Sequence, residues 1–203
     1  MSRPVNSDLR SKILEEAIGI VYREGPKSVT MRSLAEKLGY SAATIYLHFE
    51  NKEELFKEIA LHGFDVLTRT IAPAKDIEDP AVALSEALQR YINFGIEHLE
   101  LYRLMFEDVG MESLVQQLST EDQARAMEPW NITREIYARG MEQGVFTEKD
   151  PDLEASIGWS LVHGFVQLST AGQMLVSNNG GQGFRELRRA LVASRVDALK
   201  KAA

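Results

Sequence analysis

Residues 30–55 read TMRSLAEKLGYSAATIYLHFENKEEL. Thr30 stands where an N-cap belongs, because a hydroxyl there can accept one of the backbone N–H groups that a first helical turn leaves unpaired. Leu34, Ala35 and Leu38 then recur at helical spacing, and Gly39 suits the left-handed conformation that ends a helix abruptly. Ser41 caps a second short helix whose apolar positions Ala42, Ile45 and Phe49 follow at i, i+3 and i+7. Two short helices joined by a glycine-containing turn of about three to four residues form a helix-turn-helix, whose second helix can enter a DNA major groove. Asn51, with Glu54 three residues on, is an Asn-x-x-Glu variant of the capping box and opens the next helix.

The pattern remains helical on both sides of this unit. A first helix is expected from about Asp8 to Glu24, with Leu9, Ile13, Ala17, Ile20 and Val21 on one face and Gly25-Pro26 as its stop. The helix from Asn51 carries Leu55, Ile59, Phe64 and Leu67 toward Pro73, and AKDIEDP (74–80) reads as a loop. Further helices are predicted over about Ala81–Leu99, Leu101–Glu107, Thr120–Gln143 with an interruption or kink at Pro129, Asp152–Val176 and Phe184–Lys200. No alternating strand runs bounded by hairpin turns are present. The fold class is therefore all-α: an N-terminal three-helix helix-turn-helix domain (residues 1–50), then a helical domain (51–203) joined by the helix at about 51–72 as a connector.

Composition narrows the chemistry. With no cysteine there are no disulfides, thiolate zinc sites or thiol redox sensors, which suits a reducing cytoplasm. MSRPVNSDLR has no apolar core of a signal peptide, and no apolar run reaches membrane-spanning length, so no membrane partner is expected. The net charge of −7 belongs wholly to residues 61–203; residues 1–60 hold nine Lys/Arg against nine Asp/Glu. A neutral N-terminal third can still present a basic face to DNA, and binding there should be salt-sensitive. Residues Arg3, Arg10 and Lys12 form either a basic arm or a solvated terminus. The four histidines (48, 62, 98 and 163) make no i, i+4 ligand pattern, and no metal or other cofactor is expected. No nucleophile elbow, phosphate loop or paired acid–base spacing points to an enzyme.

ILEEAIGIVYREG (13–25) followed by VTMRSLAEKLGYSAATIYLHFENKEELF (29–56) resembles the TetR family of tetracycline-repressor-like transcription regulators. LYRLMFED (101–108) and WSLVHGF (159–165) resemble a subgroup whose ligand domain carries a Trp-His-Gly signature, here Trp159, His163 and Gly164. The resemblance implies that Thr30 meets a phosphate, that Arg32 reaches phosphate or a base edge, and that Ser41, Thr44, Tyr46 and His48 line the DNA side. Lys52 would grip a phosphate at the start of the connector helix. Independently, Arg32 can offer two parallel donors to guanine, and Lys52 is a point charge suited to phosphate. Ala42 and Ala43 stand where polar residues often appear in relatives, and Leu47 where a hydrogen-bonding or aromatic side chain is common; they can touch thymine methyls but cannot make bidentate base contacts.

In the C-terminal part, Phe64, Tyr91, Phe94, Tyr102, Phe106, Trp130, Tyr137 and Trp159 are either core or the wall of an effector cavity between helices, with His98 and His163 as polar anchors. Ile157, Leu161, Phe165, Leu168, Gly172 and Leu175 make one stripe and residues 184–199 another, both broader than a single partner needs. Gly158, Gly164 and Gly172 allow close helix approach. Docking these two helices on their copies would give a four-helix homodimer interface. The expectation is a ligand-responsive one-component regulator, most simply a repressor. It would bind a palindromic operator in double-stranded DNA as a homodimer, released by an unknown small apolar or amphipathic effector. The alternative is a DNA-binding protein of the same fold that responds to DNA or a protein partner instead.

Overall fold

A computed structural model of the chain describes residues 7–108, 118–171 and 182–200. Nine α-helices are found among the described residues: α1 (Ser7–Glu24), α2 (Met31–Leu38), α3 (Ala42–Tyr46), α4 (Lys52–Ile71), α5 (Pro80–Glu97), α6 (Leu99–Arg103), α7 (Thr120–Glu142), α8 (Pro151–Thr170) and α9 (Gln182–Asp197). Extended pairing among these residues is limited to one isolated bridge between Phe146 and Lys200. None of the helices is long and apolar enough to cross a membrane.

Local chemistry sets most of these boundaries. The Thr30 hydroxyl accepts from Ser33 N at 3.0 Å while Ser33 Oγ accepts from Thr30 N at 3.2 Å, a reciprocal cap on α2. Gly39 closes α2 at φ 73°, a region a side chain would strain. Asn51 Oδ1 accepts from Glu54 N at 2.7 Å as expected, but the Glu54 carboxylate turns to Glu50 N at 2.7 Å rather than to Asn51 N. The cap is therefore widened by one residue, because Glu54 also takes a hydrogen bond from Arg10.

Several expected boundaries move. AKDIEDP is not all loop: a 3₁₀ turn covers Ala72–Asp76, and α5 begins at Pro80, whose missing N–H costs nothing at a first helical position. The expected helix at 101–107 becomes α6 plus a π turn over Leu104–Asp108. Helix α7 runs through Pro129 without interruption, and Thr133 Oγ1 donates to Pro129 O at 3.0 Å. Helix α8 starts at Pro151 rather than Asp152, since Asp150 Oδ1 accepts from Asp152 N at 2.9 Å. Gly172 and Leu175 of its stripe, like Arg3, lie outside the described residues.

Packing groups the chain into two compact units, Met1–Asp65 with His98–Ala126, and Val66–Glu97 with Met127–Ala203. In the first, Ile13, Ile20, Leu34, Ile45, Phe49, Leu55, Ile59 and Tyr102 are fully buried. Arg10 binds Glu54 and Glu58 at 3.3 and 3.1 Å and lies 4.4 Å from the Phe49 ring centroid, fixing α1 to α4 over the end of the reading unit. It is thereby withdrawn from any basic arm, and Lys12 pairs with Asp8. Partial burial opposes the Arg10 charge, but the hydrogen bonds to Glu58 and Glu54 outweigh it and hold the guanidinium above its ordinary range.

In the second unit, α5 packs against α8 and α9 around Leu84, Leu88, Ile92, Val162, Val166 and Val192. Beside this apolar core lies a buried ionic group. Arg195 pairs with Glu154, donates to the Glu154 carbonyl at 2.8 Å and reaches Tyr137 Oη at 3.2 Å. Lys149 adds a second partner to Glu154 at 3.2 Å. Burial pushes the Glu154 carboxyl up, yet the hydrogen bonds from Arg195 and Lys149 prevail and leave it below the usual carboxylate range. Burial also raises the Tyr137 phenol, against the pull of Arg195. Gly158 belongs to this group too: a Cβ there would run into the Tyr137 hydroxyl. Its smallness serves packing within the chain, whereas a Cβ at Gly164 would meet open space.

Candidate nucleic-acid interface

The reading unit is built by short-range caps. Ser41 Oγ accepts from Thr44 N at 3.1 Å and shares a 2.9 Å hydrogen bond with Thr44 Oγ1, so both hydroxyls are engaged in starting α3. Ile45 and Phe49 are fully buried and anchor one side of the segment. On the other side Ala42, Ala43, Tyr46 and Leu47 are exposed, Tyr46 by 52% and Leu47 by 75%. Ala42, placed with the inward stripe by its spacing, therefore faces water; in a five-residue helix the i, i+3 relation covers too little of one face to fix burial.

Thr30 and Ser41 are exposed, and Thr44 is half-buried. Arg32 is exposed on α2 with no ion pair among the described residues. His48 departs from its expected outward position: it is half-buried, and its Nδ1 is sealed from solvent without a hydrogen-bond partner. Lys52 is the first residue of α4, its ammonium 4.6 Å from the Phe56 ring centroid. A cation at the positive end of a helix is locally unfavourable, and the acidic Glu53 and Glu54 in the same turn offset it. Tyr40, which sequence reasoning missed, lies in the turn and is 47% exposed. An aromatic in the turn directly before a capping serine was the available signal.

The ten expected effector contacts fall into separate groups. In the first unit, Phe106 packs on Phe64 and Tyr102 with ring centroids 5.7 and 4.7 Å apart, and His98 meets the Tyr22 ring edge-on at 5.5 Å. In the second, Trp159 Nε1 donates to Tyr91 Oη at 3.1 Å, and Tyr91 Oη lies 3.2 Å from His163 Nδ1. Phe94 is buried, Trp130 half-buried, and Tyr137 sits fully buried beside Arg195. An open cleft of about 1010 Å³ in the second unit is lined by Glu78, Asp79, Val82, Gln143, Val145, Asp197 and neighbours, none of them among the ten. No group of three or more His, Cys, Asp or Glu among the described residues is arranged to hold a metal ion.

Comparison with known proteins agrees with this architecture. Residues 13–59 match the bacterial regulatory proteins of the tetR family, and residues 84–191 match the tetracyclin repressor-like C-terminal domain. The HTH-type transcriptional repressor KstR2 of Mycobacterium tuberculosis is 26% identical over 164 residues, covering 79% of this chain and 77% of that protein. The TetR family transcriptional regulator PfmR of Thermus thermophilus superposes with a TM-score of 0.65 at 26% identity, over 93% of this chain and 99% of that one. A Rhodococcus sp. RHA1 protein of unknown function shares the fold with a TM-score of 0.79 at 20% identity, over 95% and 96% of the two chains. With a capped helix-turn-helix at one end, a helical C-terminal domain at the other and both matched in sequence, the chain belongs to the TetR family of DNA-binding transcriptional regulators.

Proposed function

We propose that the protein is a ligand-responsive repressor that binds a palindromic operator as a homodimer. The observation that carries this reading is the outward face of α3. Tyr46 and Leu47 stand in water while the caps hold the short helix rigid, which is how a groove-reading element is presented. Tyr46 and Lys52 are assigned to backbone phosphates, as is the cap residue Thr30. Arg32 is assigned to phosphate or a guanine edge, and Ser41, Ala42, Ala43, Thr44, Leu47 and His48 to the groove surface. The half-buried His48 then contributes less contact than Tyr46. Residues 1–50 act as the DNA-binding domain and 51–203 as the effector and dimerisation domain.

Dimerisation is supported by the second unit's surface. On α8, Leu153, Ile157 and Leu168 are exposed by 56, 43 and 49%, with Leu161 and Gly164 between them along one helical stripe. On α9, Leu187 and Ala190 are exposed and Leu191 half-buried. An isologous contact of these stripes would remove the apolar surface from water and supply the two-fold axis a palindrome requires. Within the second unit, effector binding is assigned to Tyr91, Trp159 and His163 as a preformed polar anchor for an otherwise apolar or amphipathic molecule. An effector that prefers the DNA-incompetent state ~100-fold would shift the equilibrium by about 2.7 kcal/mol and weaken DNA binding reciprocally.

The test is a salt series on an operator. Lys52→Ala and Tyr46→Ala should weaken binding by similar factors across sequences, with Lys52→Ala also lowering the log–log salt slope by roughly one per subunit. Unchanged affinity in both variants removes the phosphate assignments. Light scattering should give twice the 22.8 kDa chain mass, and a stable monomer removes the dimer.

A further inference from the structure

We infer that α3 reads its half-site chiefly through the C5-methyl groups of thymine, with Leu47 and Ala43 as the reading patch; this rests on the major-groove reading above and specifies its chemistry. Within Ala42–Tyr46 no side chain offers a bidentate donor or acceptor. Of the three hydroxyls of the segment, Ser41 and Thr44 are already bonded to each other and Ser41 to the α3 backbone, and the third, the Tyr46 phenol, is assigned above to a phosphate. His48 has one ring nitrogen sealed inside the protein. Purine-edge recognition, which needs paired donors and acceptors such as an Arg, Asn or Gln places in the groove, is therefore absent from the helix itself. It can come only from outside it, as from Arg32 on α2.

What α3 presents instead is hydrocarbon. Leu47 is the most exposed of the large apolar side chains among the described residues, at 75%, and Ala43 lies one helical turn before it, with Leu47 N donating to Ala43 O at 3.2 Å. Ala42 extends the same exposed face. Among the base-pair edges in the major groove, thymine alone of the four bases carries a methyl group, so an apolar patch continuous with the DNA-binding unit selects for it. Covering one methyl removes about 0.8 kcal/mol worth of apolar surface from water, close to a four-fold change in affinity. Two symmetric half-sites compound this to roughly fifteen-fold.

The full-length protein can be used to enrich binders from a random pool of short DNA duplexes. The enriched duplex is then resynthesised with each thymine in turn replaced by deoxyuridine, which keeps the pairing edge and deletes the methyl. The expected result is a roughly four-fold loss at one or two positions per half-site and about fifteen-fold when both half-sites are changed, read by fluorescence anisotropy. Leu47→Ala, at a position too exposed to threaten folding, should bind the thymine duplex more weakly and shrink the uracil penalty to below about two-fold; Leu47→Met should retain it. Equal affinity for thymine and uracil duplexes overturns this inference while leaving the regulator reading intact. A uracil penalty unchanged in Leu47→Ala overturns it as well, by assigning the methyl effect to duplex shape. If no duplex is enriched at all, the major-groove reading falls and this inference falls with it.

Discussion

The reading unit and the α7–α9 region hold their polar groups in opposite ways. Around α2 and α3 the decisive hydrogen bonds join residues three apart in sequence, as in Thr30 with Ser33 and Ser41 with Thr44, and the capping residues Thr30 and Ser41 remain exposed while their partners are half-buried. In the α7–α9 region Arg195 reaches 41 residues back to Glu154 and 58 residues back to Tyr137, and the whole set is buried. The first arrangement fixes the shape of a short segment and leaves its face available to a partner. The second fixes which helices lie together and offers nothing to solvent. An exposed cap and a buried ionic group are both polar, but one is a local shape device and the other a tertiary registration device.

This contrast can be broken most sharply at Arg195. Arg195→Ala leaves the Glu154 carboxylate and the Tyr137 hydroxyl short of a partner in a buried site and should cost about 3–5 kcal/mol in urea unfolding. Replacing both ions with apolar residues, Arg195→Met with Glu154→Leu, should recover much of that loss; a double variant as unstable as the single would show that the pair holds more than register.

The same group predicts an acid limb. Glu154 titrates below its unfolded range, so its contribution is complete above the ordinary carboxylate pKa and disappears as pH falls through the lower folded value. Tyr137 titrates above its unfolded range, so its contribution is complete below the ordinary phenol pKa and is lost as pH rises beyond it. Stability against pH should therefore show a plateau bounded on the acid side by Glu154, and Glu154→Gln should flatten that side; an unchanged acid slope would remove Glu154 as its source.

The local devices should cost less. Ser41→Ala removes the α3 cap and is expected to lower stability by about 1 kcal/mol, with a larger relative loss of DNA affinity because the helix it starts is only five residues long. A drop in stability with DNA affinity untouched would separate the cap from the reading function. The smallest effect belongs to Lys12→Ala, whose exposed pair with Asp8 lies one turn away on α1. It should leave the unfolding midpoint unchanged within error.

The reading unit was legible because its determinants are contiguous. Thr30, Gly39 and Ser41 each do in the structure what their chemistry predicts from sequence alone, since a cap or a left-handed turn depends on neighbours within a few residues. The errors there came from side chains whose burial depends on other helices: Ala42 faces water, His48 is half covered, and Glu54 bonds Glu50 because Arg10 also claims it. In the α7–α9 region the stripe was visible but its use was not. Of Ile157, Leu161, Phe165 and Leu168, only Phe165 is buried within the chain, and the working core runs through Ala155, Gly158, Val162 and Val166 beside it. A hydrophobic stripe gives the period of a helix, not which of its neighbours covers it.

The amino-acid order alone determined the all-helical class, the helix-turn-helix with its caps, and the placement of Tyr46, Leu47 and Lys52 on or beside the reading helix, because these follow from interactions within one or two turns. Tertiary structure decided the partners of Arg10, Arg195 and Glu154, the burial of His48 and Tyr137, and which face of α8 is left open. Those outcomes depend on residues from distant helices competing for the same space and the same hydrogen bonds, and no local pattern encodes the result of that competition.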